Sequence, residues 1–150
     1  MQTLARGALA GLVATVPMTV VIGAGRAAGL MGTPPPVEIM ENAAEQAGEN
    51  PDRRSPEFQA AWLAAHLGYG AACGVVFSAI RPLLPRSDLV AGLLFGGAVW
   101  GVSYIRLMPS LNLYPSAEDD SNQRQAVMIV AHAVFGTALA GIDHRLRNEM

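Results

Sequence analysis

Two histidines, His66 and His132, are the side chains best suited to chemistry in this sequence of 150 residues. Each stands about ten residues into a predicted helix, and the two helices start on the same side, so each histidine lies about 15 Å deep at a rise of 1.5 Å per residue. Ionisable groups at such depth in a membrane are costly and are candidates for function. Three interpretations stay open. The histidines could be neutral and form hydrogen bonds between helices, they could ligate a haem b, or they could form part of a proton or ion path.

The haem b interpretation assigns roles to four residues besides the histidines. The two imidazoles would be axial ligands of an iron held between two helices. Space for the macrocycle would come from Gly70 and Gly136, and propionate partners from Arg26 and Arg106. The same glycines suit close helix packing equally well, which would leave no room for haem. Our main expectation is therefore that no cofactor is bound.

Composition excludes several other classes of protein. The single cysteine, Cys73, excludes an internal disulfide framework and a cysteine-built zinc site. A net charge of −2 excludes a basic surface for nucleic acid. The apolar runs contain no acid that could extend a proton relay, and no catalytic triad or phosphate-binding glycine loop is present. We predict that the protein is not an enzyme.

Four stretches without charged side chains define the predicted fold. They cover residues 7–25, 58–80, 89–105 and 125–142, and each is close to the ~20 residues that a helix needs to cross a bilayer. The first exceeds the usual 7–15 apolar residues of a signal peptide, so we expect it to be retained. The sequence predicts an all-α, four-transmembrane-helix bundle in one domain, with helices at about 5–30, 56–81, 88–108 and 122–146.

The outer segment, residues 31–55, contains a short amphipathic pattern. Acids recur at helical spacing from Glu38 to Glu49, with Val37 and Met40 roughly opposite. This spacing predicts a short helix across the outer face of the bundle. Its acids form either a solvated face or a docking element for a partner subunit.

The second and fourth helices resemble each other. Aligning Gln59 with Gln125 also aligns His66 with His132 and Gly70 with Gly136. The first and third helices share the shorter Ala-Gly-Leu match at 10–12 and 91–93. This similarity predicts two helical hairpins repeated in parallel about an axis along the membrane normal.

Small residues four apart occur in every predicted helix. In lipid, helices associate through close backbone approach rather than the hydrophobic effect, so these residues predict a tightly packed bundle. A pair that faced outward would instead form a docking surface. The predicted packing glycines are Gly7, Gly11, Gly70, Gly74, Gly92, Gly96, Gly97, Gly101 and Gly136.

The arginines bear on how the helices cross the membrane. Five fall on the side of the termini and five on the other side, where Arg26 and Arg106 stand at helix ends. Nine of the 12 acids also lie on that other side, although acids contribute little to orientation. We predict that both termini are cytoplasmic.

Several short motifs occur in a recognisable order. Pro34-Pro35-Pro36-Val37-Glu38-Ile39 follows the first helix, the third opens with Ala91-Gly92-Leu93-Leu94, and the fourth contains Ala131-His132 and ends in Arg145-Leu146-Arg147-Asn148. With a histidine also in the second helix, the chain resembles the YagU-like family of small bacterial inner-membrane proteins. The resemblance implies a bacterial inner membrane and a link to acid tolerance, and it brings no catalytic residues.

The predicted function is that of a non-enzymatic accessory or structural subunit that packs against a larger membrane complex. Its expected partners are the lipid bilayer and other membrane-protein subunits, and no nucleic acid. Two alternatives stay open: a bis-histidine haem b electron carrier, and a small transporter of protons, ions or a solute.

Overall fold

The computed structural model describes residues 2–116 and 119–149, which are helical and contain no strand. Four of the helices are long and apolar enough to cross a membrane, which confirms the predicted all-α fold class. Which side of the bundle is cytoplasmic stays a prediction. The helices are α1 (Gln2–Ala27), α2 (Pro35–Gln46), α3 (Pro56–Ile80), α4 (Asp88–Ser110) and α5 (Asn122–Glu149).

Serine side chains cap the starts of three helices. Ser55, Ser87 and Ser121 accept hydrogen bonds from backbone N–H groups three residues later, at 3.1, 3.4 and 3.3 Å. The C-terminal end of α3 continues into a 3₁₀ turn at Arg81–Leu83, which contains a proline. The first helix ends at Ala27 rather than near residue 30, because the chain turns at Gly29 with φ of +74°.

The four long helices pack in the order α3, α1, α5, α4. Helix α1 packs against both α3 and α5, and α4 packs against α5. Alanines and larger apolar side chains fill these contacts, and Ala10, Ala14, Phe77, Ala131 and Leu139 are all 0% exposed. Helices α3 and α4 pack much less closely against each other than these three pairs do.

Glycine contacts join the helices within each hairpin. A Cβ atom built on Gly11 would overlap the backbone of Gly70, and one built on Gly92 would overlap the backbone of Gly136. These are equivalent pairs in the predicted repeat, so the contacts agree with two similar hairpins. Of the predicted packing glycines, those whose Cβ position is blocked by a neighbouring helix are Gly7, Gly11, Gly70, Gly74, Gly92, Gly96 and Gly136.

Two predicted packing glycines do not pack within the bundle. A Cβ atom built on Gly97 or Gly101 would meet nothing within 4 Å among the described residues. Each residue of a helix is rotated by about 100° from the one before it, so Gly97 leaves the contact face that Gly96 occupies. The prediction that this pair holds the bundle together was wrong, and the pair faces outward.

Candidate functional site

A cavity of about 310 Å³ lies between α3 and α4, on the same side of the bundle as α2. Helices α1 and α5 form its inner wall, and α2 covers it with the apolar side chains of Ile39, Met40 and Ala43. Six aromatic side chains contribute to its mostly apolar lining: Trp62, Tyr69, Trp100, Tyr104, Tyr114 and Phe135.

The packing at this cavity is not symmetric about the predicted repeat. The contact between α1 and α5 has an equivalent between α4 and α3, yet only the first of these is closely packed. Phe77 and Phe95 join α3 and α4 toward the termini, with edge-to-face rings 5.2 Å apart. The cavity lies between the same two helices, on the side nearer α2.

Both predicted site histidines line the cavity. The Nδ1 atom of His132 lies 2.8 Å from the carbonyl oxygen of Met128 in its own helix, and His132 is only 7% exposed. The Nε2 atom of His66 is buried and has no hydrogen-bond partner among the described residues. The predicted bonds from these imidazoles to other helices are not found among the described residues: His132 bonds within its own helix, and the hydroxyl of Thr15 donates to Gly11 of its own helix.

Trp100 adds a second buried nitrogen without a partner. Its Nε1 atom is inaccessible and makes no hydrogen bond in the described part of the chain, although the residue lines the cavity. The indole ring stacks on Tyr104, with ring centroids 5.7 Å apart. Sequence reasoning did not single out Trp100 as a site residue. The available signal was its spacing of four residues from Tyr104, which places the two aromatic rings on one face of the helix.

Two features predicted for a haem site are not found. Gly70 and Gly136 provide no space for a macrocycle, because the backbones of α1 and α4 already occupy the positions beside them. Arg26 and Arg106 are exposed and do not line the cavity, so they cannot pair with a group inside it. Haem ligation by the two histidines stays a prediction without this support.

A hydrogen bond crosses between α3 and α4 at the cavity. The hydroxyl oxygens of Tyr69 and Ser103 lie 2.6 Å apart, and both residues belong to the lining. Ser103 is part of a π-helical turn within α4, at Val102–Leu107. Such turns are rare and occur often at functional sites, because the wider turn redirects side chains.

A polar cluster holds α2 over the cavity. Arg124 of α5 donates to Glu38 of α2 and to the backbone of Thr33, both at 2.6 Å. Asp120 accepts hydrogen bonds from the hydroxyls of Tyr104 and Tyr114. Burial raises the pKa of Tyr114, which keeps this hydroxyl neutral and able to donate. The acids of α2 are thus partly paired rather than simply solvated.

Asp143 is a buried acid that sequence reasoning missed, because it follows the last charge-free run. It is 0% exposed, and its Oδ1 atom accepts from Arg6 at 2.9 Å and from Ser78 at 2.6 Å. It shares a face of α5 with His132, from which it lies about three turns away. Phe135 and Leu139 separate the two, so no polar path joins them along this face.

Comparison with known proteins gives one match. The model of DUF6789, a family of unknown function, matches residues 1–150. No curated protein and no solved structure matches the sequence. Nothing in these comparisons concerns the YagU-like family, so that resemblance stays a prediction.

Proposed function

Because this chain belongs to the DUF6789 family, whose function is unknown, we propose a function from its own geometry. The protein binds a neutral, mostly apolar molecule of the bilayer in the cavity between α3 and α4. One observation carries this proposal: the buried Nε2 of His66 and Nε1 of Trp100 lack partners, and both residues line this cavity.

The two nitrogen atoms favour a ligand because leaving them unpaired is costly. A buried polar group without a hydrogen bond destabilises a protein by about 1–3 kcal/mol. Inside a bilayer, bulk water is not present to form the missing bonds. A ligand oxygen placed near each nitrogen would remove both costs. Most small-molecule sites combine apolar walls with a few such polar groups.

The lining also bears on the charge and origin of the ligand. Among the described residues, no aspartate, glutamate, lysine or arginine lines the cavity. A charged ligand would therefore enter a weakly polar space without an opposite charge, which is unfavourable. Tyr69, beside the cavity on α3, is 40% exposed on a surface where lipid is expected. A neutral lipid could enter directly between α3 and α4.

Ligand extraction from the purified protein tests this proposal. We expect one neutral lipid class to co-purify in mild detergent at close to one molecule per chain, as measured by mass spectrometry of the solvent extract. Trp100→Phe removes a donor, so the affinity should fall by about 0.5–1.5 kcal/mol, or about 2- to 13-fold. The retained ligand should fall accordingly.

Trp62→Phe is the matched control, because Trp62 is the other tryptophan and its Nε1 already donates to Gln59 at 2.9 Å. This variant should retain more ligand than Trp100→Phe. Equal losses in the two variants would contradict the role of the unpaired nitrogen. An extract no richer in any lipid than that of an unrelated membrane protein, or a Soret band from bound haem, would overturn the proposal.

The outward glycines of α4 favour a second function, that of an accessory subunit. Gly97 and Gly101 are four residues apart and have open space beside them. In a bilayer, such a surface allows another helix to approach closely. We propose that this face of α4 packs against a subunit of a larger membrane complex.

The mass of the native particle tests the accessory function. Solubilised gently without overexpression, the protein should run as a large particle with companions in fixed ratio. Gly97→Leu should release it as a smaller particle, because the side chain blocks close approach. Gly68→Leu is the control, since Gly68 of α3 also has open space beside it. A wild-type particle that contains only this chain would contradict the proposal.

A further inference from the structure

The hydrogen-bonding roles of the cavity nitrogens restrict the ligand further. The Nδ1 atom of His132 faces a carbonyl oxygen at 2.8 Å, and a carbonyl can only accept, so Nδ1 carries the proton. In an apolar membrane interior the imidazole is expected to be neutral. Its Nε2 atom then has a lone pair and no proton. Since no hydrogen bond to this atom is found among the described residues, His132 offers the cavity an acceptor.

The other two nitrogens complement this acceptor. The Nε1 of Trp100 can only donate. Neither ring nitrogen of His66 is hydrogen-bonded in the described part of the chain, so its tautomer is free and its buried Nε2 can donate or accept. A group that accepts from Trp100 and donates to His132 must carry both a lone pair and a proton. A neutral hydroxyl group meets both requirements.

The walls and the size of the cavity indicate what bears the hydroxyl groups. Aromatic rings from three helices line the space, and flat rings pack well against such walls. A volume of about 310 Å³ is near the lower end of small-molecule sites, which span about 300–1,000 Å³. It suits the head of an amphipathic molecule, while a long apolar tail would pass between α3 and α4 into lipid.

We infer that the cavity binds the ring of a quinol, the reduced form of an isoprenoid quinone, in preference to the oxidised form. This inference rests on the proposed binding function and names its ligand. One quinol hydroxyl donates to His132 and accepts from Trp100, and the other bonds to His66. The two carbonyl groups of the quinone can accept from Trp100 and His66, but nothing on the quinone ring can donate to His132.

Thermal unfolding in detergent under anaerobic conditions tests the inference with decylubiquinol and decylubiquinone as probes. A ligand that binds the folded state raises the Tm according to its concentration relative to Kd. We expect both forms to raise the Tm, with the quinol binding about 2- to 13-fold more tightly because it makes the extra hydrogen bond. Menaquinol and menaquinone analogues distinguish a two-ring head from a one-ring head, and decylbenzene serves as a control without oxygen.

Two variants locate the preference. His132→Leu removes the acceptor, so the quinol and the quinone should bind equally. If that variant fails to fold, Trp100→Phe provides a second test. It should weaken the binding of quinol and quinone by the same factor, so the preference for the quinol should remain. A quinone that binds as tightly as the quinol overturns the inference. The inference is also overturned if no quinol raises the Tm. If the solvent extract then contains a different neutral lipid, the proposed binding function still stands.

Discussion

Replacing Asp143 with alanine should lower the free energy of unfolding by about 3–5 kcal/mol, the usual cost of breaking a buried ion pair from one side. The side chains of Arg6 and Asp143 are only 12% and 1% exposed, so the variant leaves a guanidinium without its counter-charge. Ser78 also loses its hydrogen-bond acceptor. Reversible unfolding in mixed detergent and SDS micelles, followed by circular dichroism, measures the loss.

A double-mutant cycle separates the ion pair from simple packing. Removing both partners, as Arg6→Leu with Asp143→Leu, should cost less than Asp143→Ala alone, since no charge is then left unpaired. Glu41→Ala is the control at a more exposed pair, because the side chain of its partner Arg53 is 47% exposed. That variant should lose much less stability. Equal losses at Asp143 and Glu41 would show that the burial of the pair has no energetic consequence.

Replacing Gly136 with alanine should also destabilise the bundle strongly. The new Cβ atom would overlap the carbonyl oxygen of Gly92 and lie 2.9 Å from the backbone nitrogen of Gly96. Backbone atoms in a helix cannot move aside as a flexible side chain can, so α4 and α5 must separate. We expect a loss near the upper end of the range for overpacked sites, about 3 kcal/mol.

Gly97→Ala is the matched control, because the same methyl group enters open space on the neighbouring helix. Alanine is favoured over glycine within a helix by about 0.5–1 kcal/mol, so this variant should be slightly more stable than the wild type. The two substitutions are therefore predicted to have opposite signs in the unfolding experiment. A destabilisation of similar size at both positions would mean that helix contact does not explain the glycine at 136.

Much of the fold could be predicted from the sequence, because lipid imposes local requirements on a chain. A run of about 20 apolar residues can satisfy its backbone groups in a bilayer only within a helix or a closed barrel. Four such runs therefore predict four helices. The glycines at 11 and 92 could be matched as equivalents, because a repeated hairpin repeats its contacts. Neither inference required knowledge of how the hairpins pack together.

The candidate site could be predicted only in part. His66 and His132 were identified because imidazoles are rare in apolar runs, and depth along a helix follows from residue count. The roles of Trp100 and Asp143 could not be assigned, since an indole suits packing and ligand binding equally, and Asp143 lies one residue beyond a charge-free run. Their significance depends on which neighbours offer a partner.

The sequence alone determined that the chain forms four apolar helices, where they begin, and that two of them carry a histidine near mid-depth. These properties depend on the hydrophobicity of neighbouring residues and on helix capping. Both are local effects that extend over only a few helical turns. Only the tertiary structure decided that Gly96 packs while Gly97 faces outward, and that a cavity remains between α3 and α4. Those outcomes depend on the rotation and spacing of whole helices, which are fixed by contacts between residues distant in the chain.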